Sequence, residues 1–198
     1  MKYLVVGLGN VGEEYVFTRH NTGFVVVDEV LGKNAVDDGW KESKVAKALV
    51  LEDKIGKHSV VYAKPTTMMN LSGGAVRVLA DKYKVKSENV VVIHDDVDLP
   101  LGKFKIQMNR GSGGHKGVES VIKALRTKNF VRIRVGVSPL TPSGKIKKPK
   151  GEEKIYKHLL GKYKTDELKI LKKLAKNISK AIEVIVVENP LQAMNDFN

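Results

Sequence analysis

The stretch ENVVVIHDD, residues 88–96, constrains the possible folds of this chain more than any other. Val90 to Ile93 are apolar at every position, so both faces of this segment must be covered. That is the pattern of a central strand in a sheet with helices on each side. His94, Asp95 and Asp96 follow abruptly, at the carboxyl end where the sites of open α/β sheets gather. YLVVGLG (3–9) reads the same way, as a short buried strand running into a glycine turn.

The rest of the chain fits around these two strands. GFVVVDEVLGK (23–33) is ambiguous. Its β-branched run suggests a strand, yet Asn21 or Thr22 could cap a helix with Phe24, Val27 and Leu31 on one face. KVAKALVLE (44–52) and KHSVVYAKP (57–65) read as a hairpin turning near Gly56. NLSGGAVRVLADKYKV (70–85) reads as a capped helix, and GSGGHKGVESVIKAL (111–125) as a glycine-rich loop feeding a helix. FVRIRVGV (130–137) alternates like a strand, with Arg132 and Arg134 on one side. TPSGKIKKPKGEEK (141–154) is a loop too short to separate two domains. Residues 165–186 form an amphipathic helix with Thr165 as the expected N-cap and Leu168, Leu171, Ala175, Ile178 and Ile182 as its buried stripe. The order β, α, β-hairpin, α, β, α, β, α predicts a mixed sheet covered by helices, in one domain spanning residues 1–198.

Composition narrows the function classes. The chain has 198 residues, no Cys and a formal net charge of +13. The missing Cys excludes disulfides, thiolate nucleophiles and Cys-type zinc sites. The charge points to a polyanionic partner, nucleic acid first. No apolar stretch is long enough to span a membrane, and the opening apolar run is too short for a signal peptide, which predicts a cytoplasmic protein.

Gly7, Gly9 and Gly12 fit G-x-G-x-x-G, and Asp28 lies at about the distance of a ribose-binding acid. However, Glu13 and Glu14 would stand where a pyrophosphate should sit, and like charges repel there. The glycines therefore let the backbone pass close to something else. His20, between Arg19 and Asn21, is the sharper residue. A carboxylate such as Asp95 hydrogen-bonded to its imidazole would fix the tautomer and make a general base. The unperturbed titration of that base lies near pH 6.5. His94, Asp95, Asp96 and Asp98 could alternatively be ligands for Mg²⁺, or a strand-end turn. Asn70 sits at a strand-to-helix junction. It is either an N-cap or an amide able to hold a substrate carbonyl or oxyanion. His115 and Lys116 close a glycine loop that reads as a lid or an anion nest.

Six motifs in order, GLGNVGEEYVFTRHNTGF, KPTTMMNLSGGAV, HDDVDLPLGKFKI, GSGGHKGVESV, FVRIRVGV and HLLGKYKTDE, resemble bacterial peptidyl-tRNA hydrolase over essentially the whole chain. The resemblance implies a single three-layer α/β/α domain with a mixed, largely parallel sheet. It also implies a monomer working without metal or nucleotide. Such an enzyme cleaves the ester between a peptide and the 3′-terminal ribose of tRNA, recycling tRNA released from stalled ribosomes. By motif match His20 would activate water, with Asp95 as its partner. Asn10 and Asn70 would hold the substrate, Met69 would line a peptide groove, and Tyr15 and His115 would border the site. Lys103, Lys105 and Arg134 would grip tRNA phosphates. Two positions depart from the family pattern: Val11 stands where Pro is usual, and Lys116 where Asn is usual. Lys116 replaces a fixed amide contact by a flexible cation that could reach a phosphate. A non-catalytic RNA-binding protein on the same scaffold is the alternative reading.

Overall fold

In the computed structural model, residues 1–32 and 39–198 are described. The strands are β1 (Lys2–Gly7), β2 (Lys41–Ser43), β3 (Ala48–Ile55), β4 (His58–Pro65), β5 (Val90–Pro100), β6 (Phe104–Gln107) and β7 (Val131–Ser138). The helices are α1 (Thr22–Leu31), α2 (Ser72–Tyr83), α3 (Lys116–Leu125), α4 (Glu152–Leu160), α5 (Thr165–Val187) and α6 (Pro190–Phe197). None is long and apolar enough to cross a membrane.

The strands form one sheet in the order β2-β3-β4-β1-β5-β7-β6. β1 lies between β4 and β5, parallel to both, and β7 continues the parallel run beside β5. β3 and β6 run opposite to the other five strands. Alternate residues of the central strands feed two cores. Val5, Val91, Ile93 and Ile133 pack beneath α1 and α5. Leu4, Val6, Val90 and Val92 pack beneath α2 and α3 on the other face. The result is a three-layer α/β/α domain, with β1, β4, β5 and β7 all ending at the same edge.

The ambiguous segment after the first turn is a helix, α1; its last residue, Lys33, lies outside the described residues. Tertiary packing overrides the β-branched run there, because Val26, Val27 and Leu31 complete the first core. Its approach depends on two glycines. A Cβ on Gly23 would collide with the Leu8 nitrogen and the Ile93 carbonyl, and one on Gly7 would overlap the Gly23 carbonyl. The first helix thus begins ten residues after Gly12, and Asp28 lies within it, bonded to Lys64 Nζ at 2.7 Å and Trp40 Nε1 at 3.1 Å. Neither arrangement is that of a dinucleotide site, which needs a helix starting at the third glycine and an acid ending the next strand.

The hairpin β3–β4 turns at Gly56 as expected. α5 starts one residue earlier in its cap than the sequence suggested. Lys164 is the N-cap, and its backbone N–H donates to Glu167 Oε2 at 2.7 Å. The edge strand β6 is blunted by the side chain of Asn198, whose Oδ1 accepts from Ile106 N at 2.7 Å and whose Nδ2 donates to Ile106 O at 2.9 Å. This occupies backbone groups that an exposed edge would offer to another chain.

Candidate active site

The turn after β1 carries the histidine. Residues 13–15 and 19–21 are single 3₁₀ turns joined by Phe17, which adopts φ +60°. A left-handed conformation at such a residue costs about 1–2 kcal/mol and must be held by its surroundings. Here Phe17 O accepts from Tyr163 N at 2.9 Å, and Arg19 N donates to Gly161 O at 3.0 Å. Arg19 also forks onto Glu167 with Nη2–O distances of 3.0 and 2.9 Å, and its guanidinium lies 5.3 Å from the centre of the Tyr163 ring. Thr22 Oγ1 meets the buried Tyr163 hydroxyl at 2.6 Å. The histidine turn is therefore fastened on one side to the segment that leads into α5.

Asp95 lies midway along β5, which runs past the expected end at Asp96 to Pro100, just before the bulge between Asp96 and Pro100 that bends this strand. Gly136 permits the bend, since a Cβ there would strike the Pro100 carbonyl. His20 Nδ1 lies 3.0 Å from Asp95 Oδ1 and 3.2 Å from Oδ2. A second imidazole converges on the same carboxylate, with His115 Nε2 at 3.1 Å from Oδ1. His115 is the N-cap of α3, and its Nδ1 accepts the backbone N–H of Val118 at 3.2 Å. That bond fixes the tautomer. With Nδ1 accepting, the ring proton of neutral His115 sits on Nε2 and is donated to Asp95. Asp95 likewise receives the Nδ1 proton of His20, which leaves His20 Nε2 with a free lone pair.

Burial by itself would lower the His20 pKa, but the Asp95 charge and hydrogen bond hold it above its ordinary value. The expectation of an unperturbed titration near pH 6.5 is thus corrected upward. Asp95 is only 2% exposed. Burial would raise its pKa, yet the two imidazoles hold it well below the usual carboxylate range. His94, also buried, supports the arrangement from behind. Its Nδ1 donates to the Asp95 carbonyl at 2.7 Å, and its ring packs edge-on to His115 at 4.7 Å between centroids. Burial and the neighbouring His115 keep it neutral.

His20, Asp95 and His115 lie close enough to share an ion. Coordination would require both ring nitrogens facing Asp95 to present lone pairs. The Val118 bond instead commits His115 Nε2 to carrying a proton, so the trio fits a hydrogen-bonded relay better than a metal centre. The other acids do not converge. Asp96 pairs with Arg134 Nε at 2.5 Å, and Asp98 with Lys148.

Asn10, in the turn that leads to the histidine, is 6% exposed. Its backbone N–H donates to Asn21 Oδ1 at 2.8 Å and its carbonyl accepts from Asn21 Nδ2 at 2.9 Å. Its side-chain Oδ1 accepts from Met69 N at 2.7 Å. With Oδ1 committed, its Nδ2 is the end left to face a substrate. Asn21 was legible only as a possible helix cap; it makes no side-chain cap bond and serves to hold Asn10. Met69 is 4% exposed, and a Cβ on Gly117 would run into its Sδ. The apolar surface at that turn belongs to Met68 and Leu71, 40% and 59% exposed. Asn70 is exposed and does not cap α2, whose N-cap is Leu71. It lines a cleft of about 550 Å³ with Lys116, Ser120 and Lys123. A second cavity of about 540 Å³ runs from Asp95 and His115 under the glycine loop to Arg134 and Lys148.

Tyr15 is half-buried, and its carbonyl receives the N–H and the hydroxyl of Thr18 at 3.0 and 2.8 Å. Lys103 and Lys105 are exposed on the β6 side. Arg134 is engaged by Asp96 and by Gln107 Oε1 at 2.9 Å, so it reaches a phosphate only while sharing its guanidinium with these groups. In the sequence Arg132 stands out only as part of an alternating strand. It is buried and bonded to Gly111 O at 2.9 Å, which ties the glycine loop to β7. Burial and the nearby Arg134 push its pKa down to about 10, and it remains charged at neutral pH.

A histidine polarised by a buried carboxylate has the chemistry to activate water. Comparison with known proteins agrees with the resemblance read from the motifs. The sequence profile of the family described as peptidyl-tRNA hydrolase matches residues 4–198. The chain belongs to the peptidyl-tRNA hydrolase family. The peptidyl-tRNA hydrolase of Aquifex aeolicus is 38% identical over 195 residues, covering 98% of this chain and 95% of the relative. That of Shouchella clausii is 40% identical over 195 residues, covering 98% and 99%. The crystal structure of peptidyl-tRNA hydrolase from Acinetobacter baumannii superposes with a TM-score of 0.85 at 29% identity, over 99% of this chain and 94% of that one. The three-layer fold and the ester-hydrolase class of this chain follow from its place in the family.

Proposed function

We propose that this chain hydrolyses the ester joining a peptide to the 3′-terminal ribose of tRNA, acting in the cytoplasm and recycling tRNA released from stalled ribosomes. The observation that carries the mechanism is the His20 Nδ1–Asp95 bond, which leaves Nε2 unprotonated and open. Water bound at Nε2 gives up its proton there as its oxygen attacks the ester carbonyl. The tetrahedral intermediate collapses by breaking the bond to the ribose oxygen, and the His20 proton passes to that leaving oxygen. The imidazolium formed in between is stabilised by Asp95. Asn10 Nδ2 donates to the developing oxyanion, and Asn70 with Lys116 holds the acyl–ribose junction from the neighbouring cleft. Lys103, Lys105 and Arg134 meet phosphates of the tRNA.

Peptide release from an N-acetylated aminoacyl-tRNA in EDTA, for wild type and His20→Ala in parallel, tests this reading. The expected result is release by wild type and a loss of about 10²–10⁴-fold in the variant, with tRNA binding little changed. Equal release by both proteins would remove His20 as the base.

A further inference from the structure

α5 carries an electrostatic feature that the hydrolytic site does not use. Its apolar face is fully engaged: Leu171, Leu174, Ile178 and Ile182 are buried in the first core. Its outer face bears Lys169, Lys172, Lys173, Lys176 and Lys180, all exposed. Lys169, Lys173, Lys176 and Lys180 follow i+4, i+3, i+4 spacing and so form one row, about 17 Å long at 1.5 Å per residue. Lys169 pairs with Asp166 at 3.2 Å and Lys172 with Glu29 at 3.3 Å. Lys173, Lys176 and Lys180 form no ion pair among the described residues. Like charges at these spacings repel, so the row costs the helix stability that interspersed acids would restore. A polyanion laid along it would remove that cost.

The row is also placed to follow the substrate. The first turn of α5 is clamped through Glu167 to Arg19, the neighbour of His20. One turn further on, Ile170 packs over Gly102, next to Lys103. The row therefore starts beside the histidine turn and the β6 lysines, and leads away from the reacting centre. In a tRNA whose single-stranded 3′ end reaches His20, the double-stranded stem likewise leads away from the reacting centre. We propose that Lys173, Lys176 and Lys180 form a docking track for the phosphate backbone of the base-paired stem of tRNA, separate from the contacts to the 3′ end. An anionic membrane surface fits less well, because the helix keeps its apolar face in the core and has none to insert. This inference rests on the proposed substrate.

The test compares wild type with Lys173→Gln/Lys176→Gln/Lys180→Gln and with the matching triple Arg variant. Each is titrated with deacylated tRNA and with a short single-stranded oligonucleotide bearing the same 3′ nucleotides, across a KCl series. The expected result is tRNA binding about ten- to hundred-fold weaker in the Gln variant, with the slope of log affinity against log salt reduced by about 2.7, a little under 1 for each lysine. Oligonucleotide binding should be unchanged, and the Arg variant should bind tRNA like wild type. An unchanged tRNA slope would overturn the track, as would an equal loss on the oligonucleotide. A loss confined to phosphatidylglycerol vesicles, with tRNA binding intact, would overturn it in favour of a membrane. Binding is read without hydrolysis, so a wild type that binds tRNA along this row but releases no peptide would refute the proposed reaction and leave the track standing.

Discussion

Replacing Asp95 by Asn tests the proton arrangement most directly. Asp95 accepts two hydrogen bonds, one from His20 Nδ1–H and one from His115 Nε2–H. An amide of the same shape can accept at its oxygen but must donate at its nitrogen. His115 cannot change tautomer without abandoning the Val118 N–H bond, so it keeps its Nε2 proton and claims the Asn oxygen. The amide NH₂ then faces His20 Nδ1 and drives the ring proton to Nε2. The atom proposed to take a proton from water would already carry one. In the serine-protease triad, the same Asp-to-Asn change, acting through the wrong tautomer, costs about 10⁴ in kcat. Because the proposed reaction has His20 take the proton of water directly, a loss of about 10³–10⁴ is expected. The pH profile should move as well. In the proposed reaction the active form is neutral His20. Its pKa is raised by Asp95, so kcat/KM should climb with pH through a midpoint above 6.5. In the variant, burial is no longer opposed, and any residual activity should titrate at lower pH. The assay is kcat/KM for an N-acetylated aminoacyl-tRNA across pH 5–9, with nitrogen NMR to report the His20 tautomer. A variant within tenfold of wild type, with an unmoved midpoint and Nδ1 still protonated, would refute the reasoning.

Three further outcomes are expected. Gly23→Ala forces a Cβ against the Leu8 and Ile93 backbone and should destabilise by about 3 kcal/mol, read as a lowered denaturant midpoint. A wild-type midpoint would mean that α1 can retreat from the sheet freely. Lys105→Gln should reduce the salt slope of tRNA binding by a little under 1, while Arg134→Gln should also destabilise the fold by leaving Asp96 unpaired. Lys105 leaves the interface if the slope is unmoved. In the acid range, Asp95 contributes stability that is full above the unfolded carboxylate pKa near 3.9 and lost as pH falls through its lower folded value. Urea midpoints for wild type and Asp95→Asn should therefore converge as pH falls from 6 toward 2, and parallel curves would show that the carboxylate is not stabilised in the fold.

Local patterns in the sequence determined the central strands, the β3–β4 hairpin and the helices α2, α3 and α5, because period and turn chemistry act within a few residues. The six motifs likewise carried the family and the candidate residues. Other features depended on partners distant in the chain. β2 and β6 exist by pairing with β3 and β7. α1 is a helix despite its β-branched run because the sheet offers a groove that only a glycine-led helix can enter. His20 and Asp95 are 75 residues apart, and no local signal could show that His115 shares the same oxygen or that Val118 sets its tautomer. Nor could it show that Asn21 spends its side chain on Asn10, or that Asp96 and Asp98 are each claimed by a cation. The sequence by itself settled which groups are present and roughly where each strand ends. Only the tertiary structure decided which proton each group holds, because that depends on burial and on hydrogen bonds made across the sheet's edge.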